Sequence, residues 1–357
     1  MDGPDLLART AAMVEIPSVS HDEGALTGRI EADLRALGRL DVERVGANLV
    51  ARTALGRATR VVLAGHTDTV PPNGNAGARI DGDVLWGLGA ADMKGGLAVM
   101  VALAEEVAEP AVDVTWVFYA GEEVSAEHNG LGHLARDRPD LLAGDVAILG
   151  EPTDGALEAG CQGTMRLEVT VHGTRAHTAR PWMGRNAVHR LGAVLRAVDG
   201  FPERRPVLDG CEYREALQAV AVTGGVAGNV VPHLATVTLN RRFAPDRTPE
   251  EAEAEVRALL APALEGGDEV EVVDMAPAAP PGLDHPVLRA LVDQHRLPVR
   301  AKLGWTDVAR FAALGVPACN LGPGDPTLAH TAEERVERGS LERAYDVLRA
   351  ILTTPAA

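Results

Sequence analysis

The chain has 357 residues, of which 46% are hydrophobic, enough for a large core and more than one domain. It carries 34 Lys and Arg against 51 Asp and Glu, a net charge of −17, which disfavours nucleic acid or an anionic membrane as partner because both are bound through basic residues. The three cysteines are scattered and form no CxxC pair, so neither a disulfide framework nor a thiolate zinc cluster is indicated.

The N-terminal half of the chain alternates helices with short apolar strands. Its first segment is acidic and has no long apolar core, so we expect no signal peptide, no membrane span and a cytoplasmic location. Helical spacing is seen at DLLARTAAMVEI (5–16), GALTGRIEADLRALG (24–38) and GGLAVMVALAEEVAE (95–109). Strands are predicted at NLVAR (48–52), VVLAG (61–65), VTWVFYA (114–120) and VAILG (146–150). This alternation predicts an α/β fold with a mostly parallel sheet.

From Gly163 the pattern changes to longer strands with alternating polar and apolar residues. The strands are MRLEVTVHG (165–173), LQAVAVTGG (217–225), LATVTLNRRF (234–243) and DEVEVVDM (268–275), and the helices are GRNAVHRLGAVLRAV (184–198) and TPEEAEAEVRALLAPAL (248–264). The order βαββαβ predicts a ferredoxin-like unit.

A turn-rich stretch, APAAPPGLDHP (276–286), closes this unit, and helix and strand alternation then returns to the end of the chain. We therefore predict a catalytic domain made of residues 1–162 and 276–357. The ferredoxin-like domain, residues 163–275, is inserted within it.

Ionisable residues follow the predicted strands at their carboxyl ends. His66 and Asp68 come after VVLAG, and their i, i+2 spacing points both to one face. Further groups follow other strands or lie in loops that can reach the same edge of the sheet: Asp92, Glu122, Glu123, Glu151 and His330. In open α/β sheets, sites form beyond the carboxyl ends of the strands. Nitrogen and oxygen donors without thiolate are typical of two-metal hydrolytic sites.

Each of these residues, taken singly, also has an ordinary structural role open to it. His66 and His330 could be a partly buried and a loop histidine, Asp68 and Glu151 turn residues, Asp92 a helix cap, and Glu122 and Glu123 a solvated pair. Only their occurrence together, in this order, favours a metal site.

The motifs HTDTVP, WGLGAADMKGG, GEEV, GEPTD and the late GPG…AH resemble, in the same order, the signatures of the M20 metallopeptidase family. The inserted domain also resembles the lid, or dimerisation, domain of that family. The resemblance covers nearly the whole chain. It implies a zinc-peptidase-like catalytic domain with a ferredoxin-like lid, and a homodimer formed through the lid.

The resemblance implies a ligand set for two divalent metal ions. His66 and Glu151 would bind one ion, Glu123 and His330 the other, and Asp92 would bridge both. A cis peptide bond would follow Asp92. Zn²⁺ suits these donors best, and Co²⁺ or Mn²⁺ could replace it.

Two more residues take roles beside the metals by the same resemblance. Asp68 would orient His66 through its second ring nitrogen. Glu122 would be the general base, which takes a proton from the attacking water and delivers it to the leaving amine.

The inserted domain carries residues that resemble the substrate-binding positions of the family. His177 in HGTRAHTARPWMG would reach the active site of a second subunit, as an oxyanion donor. Asn229 and Arg242 would hold a substrate carboxylate, a task that suits the bidentate guanidinium of Arg.

The segment KLGWTDVARFAALGVPACNLGPGDPTLAH (302–330) is similar to the actinobacterial succinyl-diaminopimelate desuccinylases within the family, as is HNGLGHL (128–134). The implied substrate is the small molecule N-succinyl-LL-2,6-diaminopimelate, an intermediate of lysine and cell-wall precursor synthesis. Its carboxylates need cationic partners, for which Arg180, Arg185 and Arg310 are further candidates, and Thr306 would contact the substrate.

Two alternatives stay open at this point. The first is a deacylase of another N-acyl amino acid such as acetylornithine, or a dipeptidase or carboxypeptidase, with the same metal site. The second is a binding protein that has kept the fold without activity; the presence of Glu122 and all five presumed ligands disfavours it.

Overall fold

The computed structural model describes residues 4–354, which fall into two compact units. The first contains residues 4–160, 281–300 and 310–354, and the second contains Cys161–Pro280 and Ala301–Ala309. The domain boundaries predicted above lie close to these limits and remain our prediction for the functional domains. Within the described residues, no helix is both long enough and apolar enough to cross a membrane.

The first unit is built on an eight-stranded sheet of order β1-β2-β6-β3-β7-β16-β8-β15. Its strands are β1 (Asp41–Val45), β2 (Asn48–Arg52), β3 (Arg60–His66), β6 (Asp113–Tyr119), β7 (Val146–Leu149), β8 (Leu157–Ala159), β15 (Val299–Ala301) and β16 (Ala318–Asn320). The central strands β6, β3, β7 and β16 are parallel, while β1, β2 and β8 pair antiparallel. Strands of this parallel centre are buried on both faces, which explains their continuous apolar runs.

Helices cover this sheet, and a small three-stranded sheet of order β17-β5-β4 stands apart from it. The helices are α1 (Leu6–Val14), α2 (Gly24–Ala36), α3 (Gly95–Glu106), α4 (Gly130–Asp137), α5 (Pro139–Leu142), α8 (Pro286–His295), α9 (Val308–Ala313) and α10 (Arg338–Thr353). The small sheet is β4 (Arg79–Asp81), β5 (Val84–Trp86) and β17 (Arg335–Glu337). Helix α3 is buried from Gly95 to Ala104, because its own residues there are small or apolar on every face of the helix.

The second unit is a four-stranded antiparallel sheet of order β12-β13-β9-β14. Its elements are β9 (Gly163–His172), α6 (Ala187–Asp199), β12 (Ala216–Gly224), β13 (Leu234–Phe243), α7 (Pro249–Leu260) and β14 (Glu269–Ala276), with the hairpin β10 (Val207–Leu208) and β11 (Cys211–Glu212). Inward-facing strand residues and the apolar stripes of both helices form one core. Helix α7 begins with a capping box between Thr248 and Glu251.

The predicted α/β fold and the βαββαβ order are confirmed. Sequence periodicity did not indicate several two- to five-residue strands, among them β1, β4, β5 and β17. Their pairing partners lie far along the chain, as Arg335 with Trp86, so local patterns carry little information about them.

Candidate metal centre

The predicted site residues lie at one edge of the large sheet. His66 is the last residue of β3 and pairs in parallel register with Tyr119, the last residue of β6. Glu122 and Glu123 follow β6, and Glu151 follows β7, the other parallel neighbour of β3. Because these strands run in the same direction, the residues after them emerge together.

Asp92 lies between two histidines that are far apart in the sequence. Its Oδ1 atom is 2.9 Å from Nε2 of His66, and its Oδ2 atom is 3.5 Å from Nε2 of His330. Nε2 of His330 is also 2.7 Å from Oε1 of Glu123. One carboxylate therefore presents a different oxygen to each histidine.

Within residues 4–354, three overlapping groups of side chains could hold a metal ion, because in each group the ligand atoms lie within 4.8 Å of one another. They are His66, Asp92 and Glu151; Asp92, Glu123 and His330; and His66, Glu122 and Glu123. The first two share Asp92, which is the arrangement that two adjacent ions with a bridging carboxylate require. Imidazole nitrogens and carboxylate oxygens are donors that Zn²⁺ accepts, so the residues present fit a dinuclear centre.

Protonation of the two histidines reflects the negative charge of this cluster. Burial favours the neutral imidazole of His66, but hydrogen bonds to Asp68 and Asp92 outweigh burial and raise its pKa well above the usual value. Contacts with Asp92 and Glu123 raise the pKa of His330 to about 10. The site thus attracts positive charge, whether carried by protons or by metal ions.

Asp68 connects His66 to the segment that carries the two glutamates. Its carboxylate accepts the backbone N–H groups of Glu122 (3.0 Å) and Glu123 (3.1 Å) and the Ser20 hydroxyl (2.8 Å). Nδ1 of His66 is 3.0 Å from the Asp68 carbonyl oxygen and 3.5 Å from its carboxylate. The contact with His66 is therefore made more closely by the main chain of Asp68 than by its side chain.

The pKa of Asp68 follows from these contacts. Burial disfavours its ionised form, but the hydrogen bond and charge of His66 and the two N–H donors outweigh burial and lower the pKa to about 2. The group is therefore an anion at neutral pH, and it fixes the positions of three segments of the site.

The segment that carries Asp92 is irregular. The Asp92–Met93 peptide bond is cis, as the resemblance implied, and neither residue has helical backbone angles. The amides of Ala91 and Asp92 donate to Oε1 of Glu334, at 3.1 and 3.0 Å. Glu334 therefore holds the backbone from which the Asp92 carboxylate projects.

Sequence reasoning missed Glu334, which looked like one more charge in the polar stretch HTAEERVE. It is only 1% exposed. Burial, together with the nearby Asp92 charge, raises its pKa to about 7 despite the N–H groups that it accepts. Burial lowers the pKa of the neighbouring Lys94 to about 8, although the charge of Glu334 opposes this. No local pattern links Glu334 to residues more than 200 positions earlier.

His330 has a backbone conformation that few residues other than glycine adopt. Its φ angle is +64°, and its side chain is half exposed. Such conformations cluster at functional sites, where surrounding contacts hold them.

The predicted substrate-binding residues are distributed over both units. Four lie in the second unit: His177 and Asn229, which are exposed, Arg242, which is partly buried, and Thr306, which is buried. His177 forms a backbone bridge with Val230, and the carbonyl of Asn229 accepts the N–H of Thr178 at 3.0 Å, so these two loops lie together. Burial lowers the pKa of Arg242, whose Nε donates to Asn240 at 3.1 Å.

The other candidate arginines have different surroundings. Arg310 belongs to the first unit, where its guanidinium lies against Gly132 of α4, and a Cβ atom on Gly132 would be 2.8 Å from it. Arg185 is paired with Glu265 within the second unit. Arg180 is exposed, and its amide donates to the His177 carbonyl at 2.8 Å.

The three cysteines, Cys161, Cys211 and Cys319, are buried and free. Burial raises the pKa of Cys161 to about 11 and that of Cys319 to about 12. Both thiols are therefore protonated at neutral pH and poor nucleophiles.

Comparisons with known proteins bear on the whole chain. A family model described as peptidase family M20/M25/M40 matches residues 62–354. The chain is 52% identical over 350 residues to the putative succinyl-diaminopimelate desuccinylase DapE of Mycobacterium tuberculosis (strain ATCC 25618 / H37Rv), with 98% of each protein covered. It is 45% identical over 357 residues to the succinyl-diaminopimelate desuccinylase of Corynebacterium glutamicum, covering 98% of this chain and 96% of that protein.

Solved structures match over the same extent at lower identity. A tripeptidase from Staphylococcus aureus superimposes with a TM-score of 0.80 at 22% identity, covering 99% of this chain and 98% of that one. An M20 family metallo-carboxypeptidase from Sulfolobus solfataricus gives a TM-score of 0.77 at 17% identity, with 99% of both chains covered. At these identities the likeness concerns the fold alone.

Proposed function

Because the chain belongs to the M20/M25/M40 peptidase family, we propose that it is a metal-dependent amide hydrolase that removes succinate from N-succinyl-LL-2,6-diaminopimelate. The observation that carries the proposal is the pair of potential ligand groups that share Asp92. The products are succinate and LL-2,6-diaminopimelate. The enzyme thus serves lysine and diaminopimelate synthesis, and we place it in the cytoplasm, where buried free thiols stay reduced.

We assign His66, Asp92 and Glu151 to one metal ion and Asp92, Glu123 and His330 to the other. Zn²⁺ is the proposed ion, and Co²⁺ or Mn²⁺ can substitute for it. When bound, the two ions supply Lewis acidity, which polarises the scissile carbonyl and makes water more acidic.

The residues of the chain carry out the proton transfers and hold the substrate. The carboxylate of Glu122 lies near His66 and Glu123, and we assign Glu122 the role of base rather than of ligand. It takes a proton from the attacking water, holds it during addition to the amide carbonyl, and delivers it to the leaving amine. Asp68 fixes the backbone from which Glu122 projects.

We assign the substrate carboxylates to Arg242, Arg310 and Asn229, with Thr306 as a further contact. The partial burial of Arg242 supports this role, since a guanidinium removed from water gains more from a bidentate carboxylate. His177 donates a hydrogen bond to the developing oxyanion in the site of a second copy of the chain. Its exposure within its own chain is compatible with this arrangement.

A substrate panel tests the proposed activity. Metal-stripped protein with Zn²⁺ restored is expected to hydrolyse N-succinyl-LL-2,6-diaminopimelate with a kcat/KM at least about a hundredfold above that for N-acetylornithine or dipeptides, which is roughly 2.7 kcal/mol of discrimination. Equal or faster turnover of N-acetylornithine or a dipeptide would leave the proposed metal site unchanged but would show that the proposed substrate is wrong. Two bound metal ions without hydrolysis of any of these would support the non-enzymatic alternative.

We also propose that the chain forms a homodimer through the second unit. Strand β12 is an edge strand of its sheet, and its residues from Gln218 to Gly224 are exposed. Val220 and Val222 are 58% and 53% exposed on this edge. An unpaired edge of β-branched residues is a template for pairing with another strand, and the occupant proposed here is the same strand of a second copy.

Lysine substitutions test this interface. Val220→Lys combined with Val222→Lys is expected to weaken dimerisation at least about tenfold, because like charges would face each other across the paired edges. Light scattering after size-exclusion chromatography measures the change. Val207→Lys, at an equally exposed position (61%) on β10, is the matched control and should leave the dimer intact. A wild-type monomer, or a lysine variant that dimerises normally, would exclude this interface.

A further inference from the structure

The side chain of Met93 packs directly against the backbone of three glycines. Met93 is 0% exposed and directly follows Asp92. A Cβ atom added to Gly65 would lie 2.5 Å from its terminal methyl group, and one added to Gly96 or Gly150 would lie 2.9 Å from it. These separations are shorter than van der Waals contact between carbon atoms, so the methyl group rests against bare backbone.

Two of these glycines directly precede residues assigned to one metal ion. Gly65 precedes His66, and Gly150 precedes Glu151. The backbone N–H of His66 donates to Sδ of Met93 at 3.3 Å. Since Met93 itself follows Asp92, a single side chain touches all three segments that carry the ligands of that ion.

The Gly150 peptide, which borders Met93, is itself packed closely against other backbone segments. A Cβ atom on Gly96 or on Gly322 would come within 2.2 Å of the Gly150 carbonyl oxygen, so this peptide is enclosed between two other glycines. The Gly150 N–H is bound to the carbonyl of Ala64 at 2.9 Å. The separation of these segments is therefore set on one side by close backbone contact and on the other by the length of Met93.

We propose that Met93 is a positioning residue, which sets the mutual distances of the segments carrying His66, Asp92 and Glu151. This inference rests on the proposed assignment of these three residues as ligands. It differs from ordinary core packing in one respect: a change in the fit between Met93 and its glycines alters metal affinity more than it alters the stability of the metal-free fold.

A double-mutant cycle tests this role. Among residues 4–354, apart from its own chain neighbours, Met93 is the only residue that a Cβ atom on Gly150 would meet closer than 3.4 Å. Gly150→Ala therefore forces Met93 to shift, and Met93→Ala removes the obstacle. Each single variant is expected to bind Zn²⁺ or Co²⁺ about tenfold more weakly in competition with a chromophoric chelator. The double variant should bind at least about tenfold more tightly than the product of the two single losses predicts.

Gly144→Ala is the matched control. Its Cβ would lie 2.6 Å from Val62, at the amino-terminal end of β7, so it overpacks the far end of the same strands. We expect it to destabilise the metal-free protein in urea while leaving metal affinity within about twofold.

Each outcome of these measurements supports or overturns the role of Met93. If the losses of metal affinity in the two single variants simply add in the double variant, Met93 has only an ordinary packing role. The same conclusion follows if Gly144→Ala loses metal affinity in proportion to its loss of stability. If Gly150→Ala does not fold, Met93→Leu and Met93→Ala take its place, and metal affinity equal to wild type in both would exclude the role. Wild-type protein that binds neither ion would instead overturn the proposed function.

Discussion

Replacement of Glu122 by glutamine is expected to lower kcat about a thousandfold while both metal ions remain bound. The amide keeps the shape of the side chain but cannot take a proton from water. KM should change little, because the proton is transferred only on the way to the transition state. Steady-state kinetics, together with metal analysis of the same sample, measures both quantities.

The adjacent Glu123 provides the matched control. Its Oε1 atom lies 2.7 Å from Nε2 of His330, within one of the two groups that share Asp92. Glu123→Gln should therefore lose most of one metal ion, whereas Glu122→Gln keeps two. If Glu122→Gln retained more than about a tenth of the wild-type kcat, another group would be the base, since general-base catalysis supplies at least about a hundredfold. Loss of metal in that variant would make Glu122 a ligand instead.

The different roles proposed for Glu122 and Glu123 depend on contacts that span the chain. Asp68 accepts both of their backbone N–H groups and is itself adjacent to His66. The i, i+2 spacing of His66 and Asp68 was visible in the sequence, and the large sheet was visible as alternating apolar runs. The sequence did not show that the Asp68 carboxylate would mainly bind the loop after β6. A hydrogen bond between residues 54 positions apart leaves no local pattern.

The same limit applies to Glu334 and Met93. Glu334 stands among other charged residues, and only the folded chain shows its carboxylate accepting the amides of Ala91 and Asp92. Met93 lies beside a predicted ligand, yet its role depends on glycines from two other segments, Gly65 and Gly150, which reach it through tertiary packing. Sequence reasoning thus predicts residues that supply chemistry at strand ends, and Asp68 as one that orients a ligand. It does not predict positioning residues such as Glu334 and Met93, whose contacts arise only from tertiary packing.

Asp92→Asn is expected to abolish tight binding of at least one metal ion and to lower activity about a thousandfold or more. The wild-type carboxylate directs one oxygen towards His66 and the other towards His330. An amide has one oxygen and no charge, so it can bind one ion at most. Even the loss of a residue that only hydrogen-bonds to a metal ligand lowers metal affinity by about ten- to a hundredfold. Metal content after dialysis against a weak chelator measures the loss.

Asp113→Asn is the control for loss of a buried carboxylate. Asp113 is 4% exposed, begins β6 at the end opposite the site, and accepts hydrogen bonds from Thr53, Leu55 and Arg57. This variant should lose stability but keep both metal ions. Two ions bound at wild-type affinity in Asp92→Asn would contradict the bridging role.

The titration of His330 gives an independent measure of what Asp92 does. In the metal-free wild type, contacts with Asp92 and Glu123 raise the pKa of His330 to about 10. A metal ion must displace that proton, so metal affinity at this histidine should rise about tenfold per pH unit up to pH near 10. Without the Asp92 charge the imidazolium is less favoured and the pKa falls, so the affinity of Asp92→Asn should level off at a lower pH. NMR titration of the metal-free proteins would show this shift, and an unchanged His330 pKa would mean that Glu123 alone holds the proton.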